Sequence, residues 1–375
     1  MIIGVLKEQA PETRVSLVPE VVAALVKMNA EVWVEQGAGD TAFFSDKAYT
    51  DAGAVIKSAG DVYSNADLLL CINPDNIKAE PKSRAVLMGV YQPLFNTGLM
   101  QRWAEKGYSV FSLDTIPRTT RAQSMDVLSS QANIAGYKAV LLAATEYCRY
   151  FPMFMTAAGS IAPAKVLILG AGVAGLQAIA TARRLGAVVE VFDTRPAVKE
   201  EVMSLGAKFV EVEGAADASK AGGYAVEQNE DFQKRQRDKI HEHAKKADII
   251  ITTAQIPGRK APILITKAMI EDMRAGSIII DIASVTGGNT DLTENNKTVM
   301  HNGVSIIGNS ALAATASSDA SKLYSKNVLN FLKLIIDKEG KMTLNFEDDI
   351  VKGTCITNGG NIVNERVQGM MTVAS

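Results

Sequence analysis

The segment Lys165-Val166-Leu167-Ile168-Leu169-Gly170-Ala171-Gly172-Val173-Ala174-Gly175 reads as a strand, a tight turn and the start of a helix. An apolar run follows Lys165, and glycine then recurs as G-x-G-x-x-G. The first glycine permits the tight turn, the second lets backbone approach a pyrophosphate, and the third lets helix and strand pack closely. The N–H groups and positive dipole of the helix N-terminus then face the phosphates. A second apolar run, Val188–Phe192, ends in Asp193. A carboxylate there accepts hydrogen bonds from both ribose hydroxyls and repels a 2′-phosphate, which favours NAD(H) over NADP(H). Arg195 is the residue type that would pair with such a phosphate. The bland alternative is a strand–helix turn with no ligand.

Outward from this unit, strand-like and helical runs alternate, the pattern of parallel sheets with crossover helices. Strands are predicted at Met1–Leu6, Glu31–Glu35, Ala66–Ile72, Ala85–Val90 and Ser109–Ser112, with helices at Pro19–Met28 and Leu99–Glu105. A long helix follows from about Ala122 to Tyr147, with Val127, Ile134, Tyr137, Val140, Leu141 and Ala144 at helical spacing. After the glycine loop come helix Leu176–Leu185, helix Val198–Leu205 and strand Lys208–Val210. A polar insertion, Glu213–Arg237, precedes strands Ile249–Thr252, Ser277–Asp281 and Val304–Ile307. A helical stretch, Ser318–Ile336, fits no further βα unit and is expected to return to the first domain, ahead of a hairpin-like tail. The expected fold is α/β: two Rossmann-like βα domains with parallel sheets, separated by a cleft and joined by long helices. Residues 1–134 with 313–375 form the first, discontinuous domain, and residues 135–312 the NAD(H)-binding Rossmann domain.

Composition narrows the function. Apolar residues make up 47% of 375, enough for a large core without staples. Lys and Arg total 39 against 41 Asp and Glu, with no basic stripe, so nucleic acid is not an expected partner. Cys71, Cys148 and Cys355 lie far apart and suit a reduced, cytoplasmic chain. His241 and His243 stand two apart in a helical stretch and do not share a face, so no metal site is expected. Val166–Ala182 carries no charge but falls short of the ~20 residues of a membrane span and holds turn glycines.

The stretch Pro117-Arg118-Thr119-Thr120-Arg121-Ala122-Gln123-Ser124-Met125-Asp126-Val127-Leu128-Ser129-Ser130-Gln131 lies between the two expected domains. Gln123, Asp126 and Ser129 are three apart, so they would share one side of a helix capped by Thr120 or Ser124. Arg118 sits just before. Spacing alone fits ordinary capping and surface polarity equally well.

This segment resembles the loop that holds the dihydronicotinamide in the NAD(H)-binding component of proton-translocating nicotinamide nucleotide transhydrogenase. The resemblance covers nearly the whole chain. It includes Gly4-Val5-Leu6-Lys7-Glu8 with Glu12-Thr13-Arg14-Val15, Asn133-Ile134-Ala135-Gly136-Tyr137, the glycine loop, and Phe192-Asp193-Thr194-Arg195. It continues through Gly222-Gly223-Tyr224-Ala225, Thr252-Thr253-Ala254-Gln255-Ile256-Pro257-Gly258-Arg259, Asp281-Ile282-Ala283 with Gly287-Gly288-Asn289, and Val351-Lys352-Gly353-Thr354. It implies that Arg118, Gln123, Asp126 and Ser129 position the nicotinamide, with Thr119 and Thr120 also on the cofactor. It further implies that Gly170, Ala171, Gly172, Val173 and Gly175 line the pyrophosphate, and that Asp193, Thr194 and Arg195 surround the adenosine ribose. Gly223 and Tyr224 belong to a mobile closing loop, with Gln236 and Gln255 nearby. A transhydrogenase of this kind passes hydride directly from NADH to NADP⁺ held on a partner subunit, coupled to proton movement through a membrane subunit. The chain is then an oxidoreductase component, a homodimer, cytoplasmic and peripheral to the inner face of the membrane through its partners.

Alanine dehydrogenase and saccharopine-type dehydrogenases share the architecture and are the rival reading, beside a non-catalytic NAD sensor. Reducing a keto acid needs a group that delivers a proton. By that resemblance a lysine, a histidine and a loop aspartate would serve. Here Leu70-Cys71-Ile72-Asn73-Pro74 has no lysine, Val90-Tyr91-Gln92-Pro93 no histidine, and Val285 stands where an acid would be. Arg14, the expected cation for a carboxylate, is present. The missing proton donors favour the transhydrogenase reading, in which none is needed.

Overall fold

A computed structural model describes residues 1–212, 214 and 230–374. The chain divides into two compact units, Met1–Gln131 with Ala314–Ser375, and Ala132–Ala313.

In chain order the strands of the first unit are β1 (Ile2–Val5), β2 (Glu31–Glu35), β3 (Val55–Lys57), β4 (Leu68–Leu70), β5 (Val86–Gly89) and β6 (Ser109–Ser112). The second unit holds β7 (Phe154–Thr156), β8 (Gly159–Ile161), β9 (Lys165–Leu169), β10 (Val188–Phe192), β11 (Lys208–Phe209), β12 (Ile249–Thr252), β13 (Ile278–Asp281), β14 (Lys297–His301) and β15 (Val304–Gly308). The C-terminal return adds β16 (Cys355–Asn358) and β17 (Asn361–Ile362) to the first unit.

The first sheet runs β17-β16-β6-β5-β4-β1-β2-β3, and the second β11-β10-β9-β12-β13-β15-β14. Among each unit's parallel strands this is the doubly wound order 3-2-1-4-5-6. The antiparallel members, β16 and β17 in one sheet and β14 in the other, stand at sheet edges. Such edge strands are common on otherwise parallel sheets. Successive strand side chains point to opposite faces, and each sheet is covered on both. In the first, Leu68 and Leu70 face one apolar cluster and Leu69 the other. In the second, Val166 and Ile168 face one and Leu167 and Leu169 the other. Helix Ser317–Ile335 contributes Tyr324, Val328, Phe331 and Leu332 to the first unit's core beside Val18, Val22 and Leu25.

One expectation is overturned. The chain from Ala122 to Tyr147 is not a single helix. Thr120–Met125 is a 3₁₀ turn, Asp126 leaves helical geometry at φ −72°, ψ 91°, and an α-helix then runs Val127–Glu146. The cap residues differ too: Thr119 Oγ1 accepts from the Ala122 N–H, and Asp126 accepts from the Ser129 N–H. Gln123 is thus on the 3₁₀ turn, and it does not share one helical side with Asp126 and Ser129.

Candidate functional site

In the second unit the loop between β9 and helix Val173–Arg184 lies at the point where strand order reverses, between β9 and β12. Ligands of doubly wound sheets bind at such a point, beyond the carboxyl ends of the strands. Gly170 has φ +105°, open to glycine, and a Cβ on it would lie 2.5 Å from Thr253 Oγ1. A Cβ on Gly175 would lie 1.9 Å from the Gly170 carbonyl oxygen, so helix and loop approach as closely as backbones can. Gly136 does the same from the preceding helix, 2.0 Å from the Ala174 carbonyl oxygen. Gly172 differs: a Cβ there would meet nothing within 4 Å. It is the N-cap of the helix and has no side chain to satisfy the first N–H groups. Open space over unsatisfied donors at a helix N-terminus fits the pyrophosphate of a dinucleotide.

Asp193 directly follows β10, and its side chain is only 6% exposed. Its Oδ2 accepts from the Ala171 N–H at 2.7 Å and from Arg195 Nη2 at 2.7 Å. Its Oδ1 accepts from the Arg195 N–H at 2.8 Å and from Arg195 Nε at 2.9 Å. The loop is braced from β12 and β13. Asn289 accepts from the Ala254 N–H and donates to the Ala254 and Pro262 carbonyls, while Asp281 accepts from the Asn289 and Ala283 N–H groups. This holds Thr253, Ala254 and Gln255 beside the glycine turn. Thr194 is half-buried, Val173 and Gln255 are exposed, and Gln236 lies on helix Glu230–Ala244. Gly223 and Tyr224 lie outside the described residues.

In the first unit, Arg118, Thr119, Thr120 and Gln123 are exposed, and Asp126 and Ser129 are half-buried. Asp126 and Ser129 are paired, with the Ser129 hydroxyl donating to Asp126 Oδ2 at 2.6 Å. The segment is held by partners far along the chain. Arg121 pairs with Asp348, 2.6 Å from Oδ2, and with Asp349. Asn327 and Asn330 both donate to the Ser124 carbonyl, at 2.8 and 3.1 Å, and Asn327 accepts from the Ser130 hydroxyl at 2.7 Å. The sequence reading missed these two asparagines. Their signal was a pair of amides three apart on an otherwise apolar-patterned helix.

The first unit has its own reversal point, between β1 and β4, and there its polar groups satisfy each other. Glu8 accepts from the Ile72 N–H and from Asn76 Nδ2. Burial pushes its carboxyl up to about 8 from 4.5, helped by the nearby Glu12 charge. Arg14 donates through Nε and Nη2 to the two oxygens of Glu12, at 2.7 and 2.6 Å, and through Nη1 to Gln131 at 2.7 Å. Burial opposes ionisation of Glu12, but the bonds from Arg14 hold its carboxyl below the usual range. Tyr91 is fully buried, its hydroxyl 3.6 Å from Cys71 Sγ, and burial pushes its pKa far up.

The alanine dehydrogenase/PNT N-terminal domain model matches residues 4–135, and the alanine dehydrogenase/PNT C-terminal domain model matches residues 139–365. The chain belongs to the alanine dehydrogenase/PNT family. Within that family it is similar to a protein of Rhodospirillum rubrum named as the first part of NAD(P) transhydrogenase subunit alpha, at 46% identity over 98% of this chain and 99% of that one. The solved structure of a transhydrogenase from Sinorhizobium meliloti matches with a TM-score of 0.87 and 43% identity, covering 97% of this chain and all of that one. An L-alanine dehydrogenase structure matches with a TM-score of 0.80 over the full length of both chains. At 23% identity it shares the alanine dehydrogenase/PNT fold alone.

Proposed function

We propose that this chain is the NAD(H)-binding component of a proton-translocating transhydrogenase. NADP(H) and the proton path would be carried by partner subunits. The similarity to the first part of transhydrogenase subunit alpha over almost the whole of both chains carries this reading, together with that to a solved transhydrogenase. The glycine loop supports it, since Gly172 leaves open space at a helix N-terminus. When bound, NAD(H) supplies the hydride donor or acceptor, exchanged with NADP(H) on the partner.

The chain's own residues bind and orient. Gly170, Ala171, Gly172, Val173 and Gly175 would line the pyrophosphate, with the N–H groups of Gly172 and Val173 toward it, and Asp193, Thr194 and Arg195 would surround the adenosine ribose. Arg118, Thr119, Thr120 and Gln123, with Asp126 and Ser129 behind them, would set the nicotinamide end. Gly223, Tyr224, Gln236 and Gln255 are the further residues proposed to bind the nucleotide. Orientation of two reactants can contribute ~7–11 kcal/mol toward a barrier. No proton need be delivered, which suits a chain whose buried acid and tyrosine at the first reversal point are already bonded within the fold.

The alanine dehydrogenase reading would need Arg14 to take a substrate carboxylate, and Glu12 and Gln131 already hold its guanidinium. No described helix is long and apolar enough to cross a membrane. The membrane association proposed is peripheral, at the cytoplasmic face, through partner subunits. A homodimer is proposed, supported by the β7–β8 hairpin with exposed Met153, Phe154 and Met155 and the stacked Tyr150–Phe154 pair. Calorimetric titration with NADH and NADPH side by side tests the nucleotide assignment. Hydride transfer on mixing with an NADP(H)-binding subunit tests the activity.

A further inference from the structure

The carboxylate of Asp193 has four lone-pair positions, and four donors fill them: two backbone N–H groups, of Ala171 and Arg195, and two guanidinium N–H groups of Arg195. The backbone donors are fixed by the turn. A ribose diol reaching this carboxylate can only take the places of Nε and Nη2. The pair is also secluded, with side chains 6% and 19% exposed, so water does not readily replace a displaced partner. A charge left alone there is costly, whereas one exchanged for other donors is not.

We propose that Arg195 is a latch on Asp193 that the ribose of a dinucleotide must displace, and that this exchange, rather than the Asp193 charge alone, sets the choice between NADH and NADPH. The inference rests on the nucleotide site proposed above. In the latched state the carboxylate and guanidinium neutralise each other, so Asp193 presents little net charge to an incoming phosphate. With a free 2′,3′-diol, two hydroxyls donate to Asp193 in place of Nε and Nη2, and the carboxylate stays fully bonded. A 2′-phosphate has no proton to give in that position. It would leave Asp193 short of a donor, but the released guanidinium can pair with the phosphate and recover part of the loss. Arg195 therefore acts against NADH, by competing for Asp193, and for NADPH, by offering a phosphate partner. The two nucleotides should be separated most widely when Arg195 is gone and least when Asp193 is gone.

The test is calorimetric titration of the full chain with NADH and with NADPH, for the wild type, Arg195→Gln, Arg195→Met and Asp193→Asn. Thermal melts check that each variant folds, and Arg195→Met keeps the apolar stem should glutamine disturb packing. The latch requires Arg195→Gln to bind NADH about as tightly as wild type or up to tenfold tighter. NADPH should weaken, so that the ratio of the two dissociation constants widens about tenfold. Asp193→Asn should weaken NADH by tenfold or more and bring the ratio toward unity. A tenfold loss of NADH affinity in both Arg195 variants would make Arg195 an ordinary nucleotide contact and overturn the latch, as would an unchanged ratio. If Asp193→Asn alters neither nucleotide, the site itself is misplaced. That failure differs from the latch failing, in which Asp193→Asn still weakens NADH.

Discussion

Gly172 and Gly175 stand three apart, one the N-cap and the other in the first turn of the same helix, yet substitution by alanine should break different things. At Gly175 the added Cβ would lie 1.9 Å from the Gly170 carbonyl oxygen and 2.9 Å from its carbon. Backbone must move, and overpacking of this kind costs about 1–3 kcal/mol. At roughly 2–4 °C per kcal/mol for a domain of this class, the melting temperature should fall by several degrees. At Gly172 the Cβ meets nothing within 4 Å, and φ −78°, ψ −170° is ordinary for any residue. Restricting the unfolded chain contributes about 0.4–1 kcal/mol of stability. The poorer capping of alanine relative to glycine takes back a similar amount, so the melting temperature should barely change.

Affinity should reverse the order. A methyl at Gly172 would occupy the approach of the pyrophosphate to the helix N-terminus. Losing one backbone hydrogen bond to a charged phosphate costs about 1.5–3 kcal/mol, or roughly 10- to 150-fold in dissociation constant. Differential scanning calorimetry without ligand and titration with NADH measure the two quantities on the same samples. Gly172→Ala should melt like wild type and bind poorly, while Gly175→Ala should melt early. If Gly172→Ala destabilises as much as Gly175→Ala, or keeps NADH affinity within threefold, the open space over Gly172 is not where the phosphates sit.

Other outcomes follow from the same geometry. The wild type should bind NADH at least about tenfold tighter than NADPH, a gap of ~1.4 kcal/mol, and equal affinities in titration would remove Asp193 from the ribose. The isolated chain should show no NADH oxidation with pyruvate and ammonia in a spectrophotometric assay, and robust turnover would restore the dehydrogenase reading. Gln123→Asn should cost up to ~100-fold in single-turnover hydride transfer, as a 1 Å misplacement can, with only a modest change in NADH affinity; collapse of affinity at an unchanged saturated rate would make Gln123 a binding element. Glu8 stays protonated in the fold up to about pH 8 while an unfolded chain loses that proton near 4.5. Its contribution is therefore fully present below about 4.5 and declines as pH rises to about 8. Glu8→Gln should flatten the fall in stability across that window, and an unchanged denaturation slope would mean the carboxyl ionises normally.

Strands of the parallel sheets were legible from their apolar pattern, continuous in Ile249–Thr252 and alternating in Glu31–Glu35. Glu31–Glu35, Ser109–Ser112, Val188–Phe192 and Ile249–Thr252 have the observed bounds. The edge and hairpin strands were not. Val55–Lys57, Lys297–His301 and Phe154–Ile161 are exposed or half-buried, and their pairing depends on neighbours rather than on an apolar signature. The break at Asp126 was hidden for a different reason. Apolar periodicity carries on through Val127, while the 3₁₀ turn is tied to residues some 200 positions away: Asn327 and Asn330 donate to Ser124, and Asp348 accepts from Arg121. Asp193 was legible as a carboxylate at the end of a strand. The shell of donors around it was not, since Arg195 turns back on its neighbour only in three dimensions.

Two reversal points with the same strand order have been put to opposite uses. Beyond β9 and β12 the chain leaves a helix N-terminus uncapped by any side chain, with open space over Gly172. Beyond β1 and β4 the charged groups pair within the fold: Arg14 with Glu12 and Gln131, Glu12 also with Asn73, and Glu8 with Ile72 and Asn76. A buried arginine whose planar fork is matched by a carboxylate at 2.6 and 2.7 Å would have to give up that pair to grip a substrate carboxylate bidentately through the same edge, and breaking a buried pair costs about 3–5 kcal/mol. A small keto acid offers one carboxylate in return and gains nothing over Glu12. The first unit can thus retain the frame of an amino-acid dehydrogenase, Arg14 included, without its reaction. In this chain, then, the presence of Arg14 does not by itself supply a site for a substrate carboxylate, because the edge of its guanidinium that would grip one bidentately is already matched by Glu12.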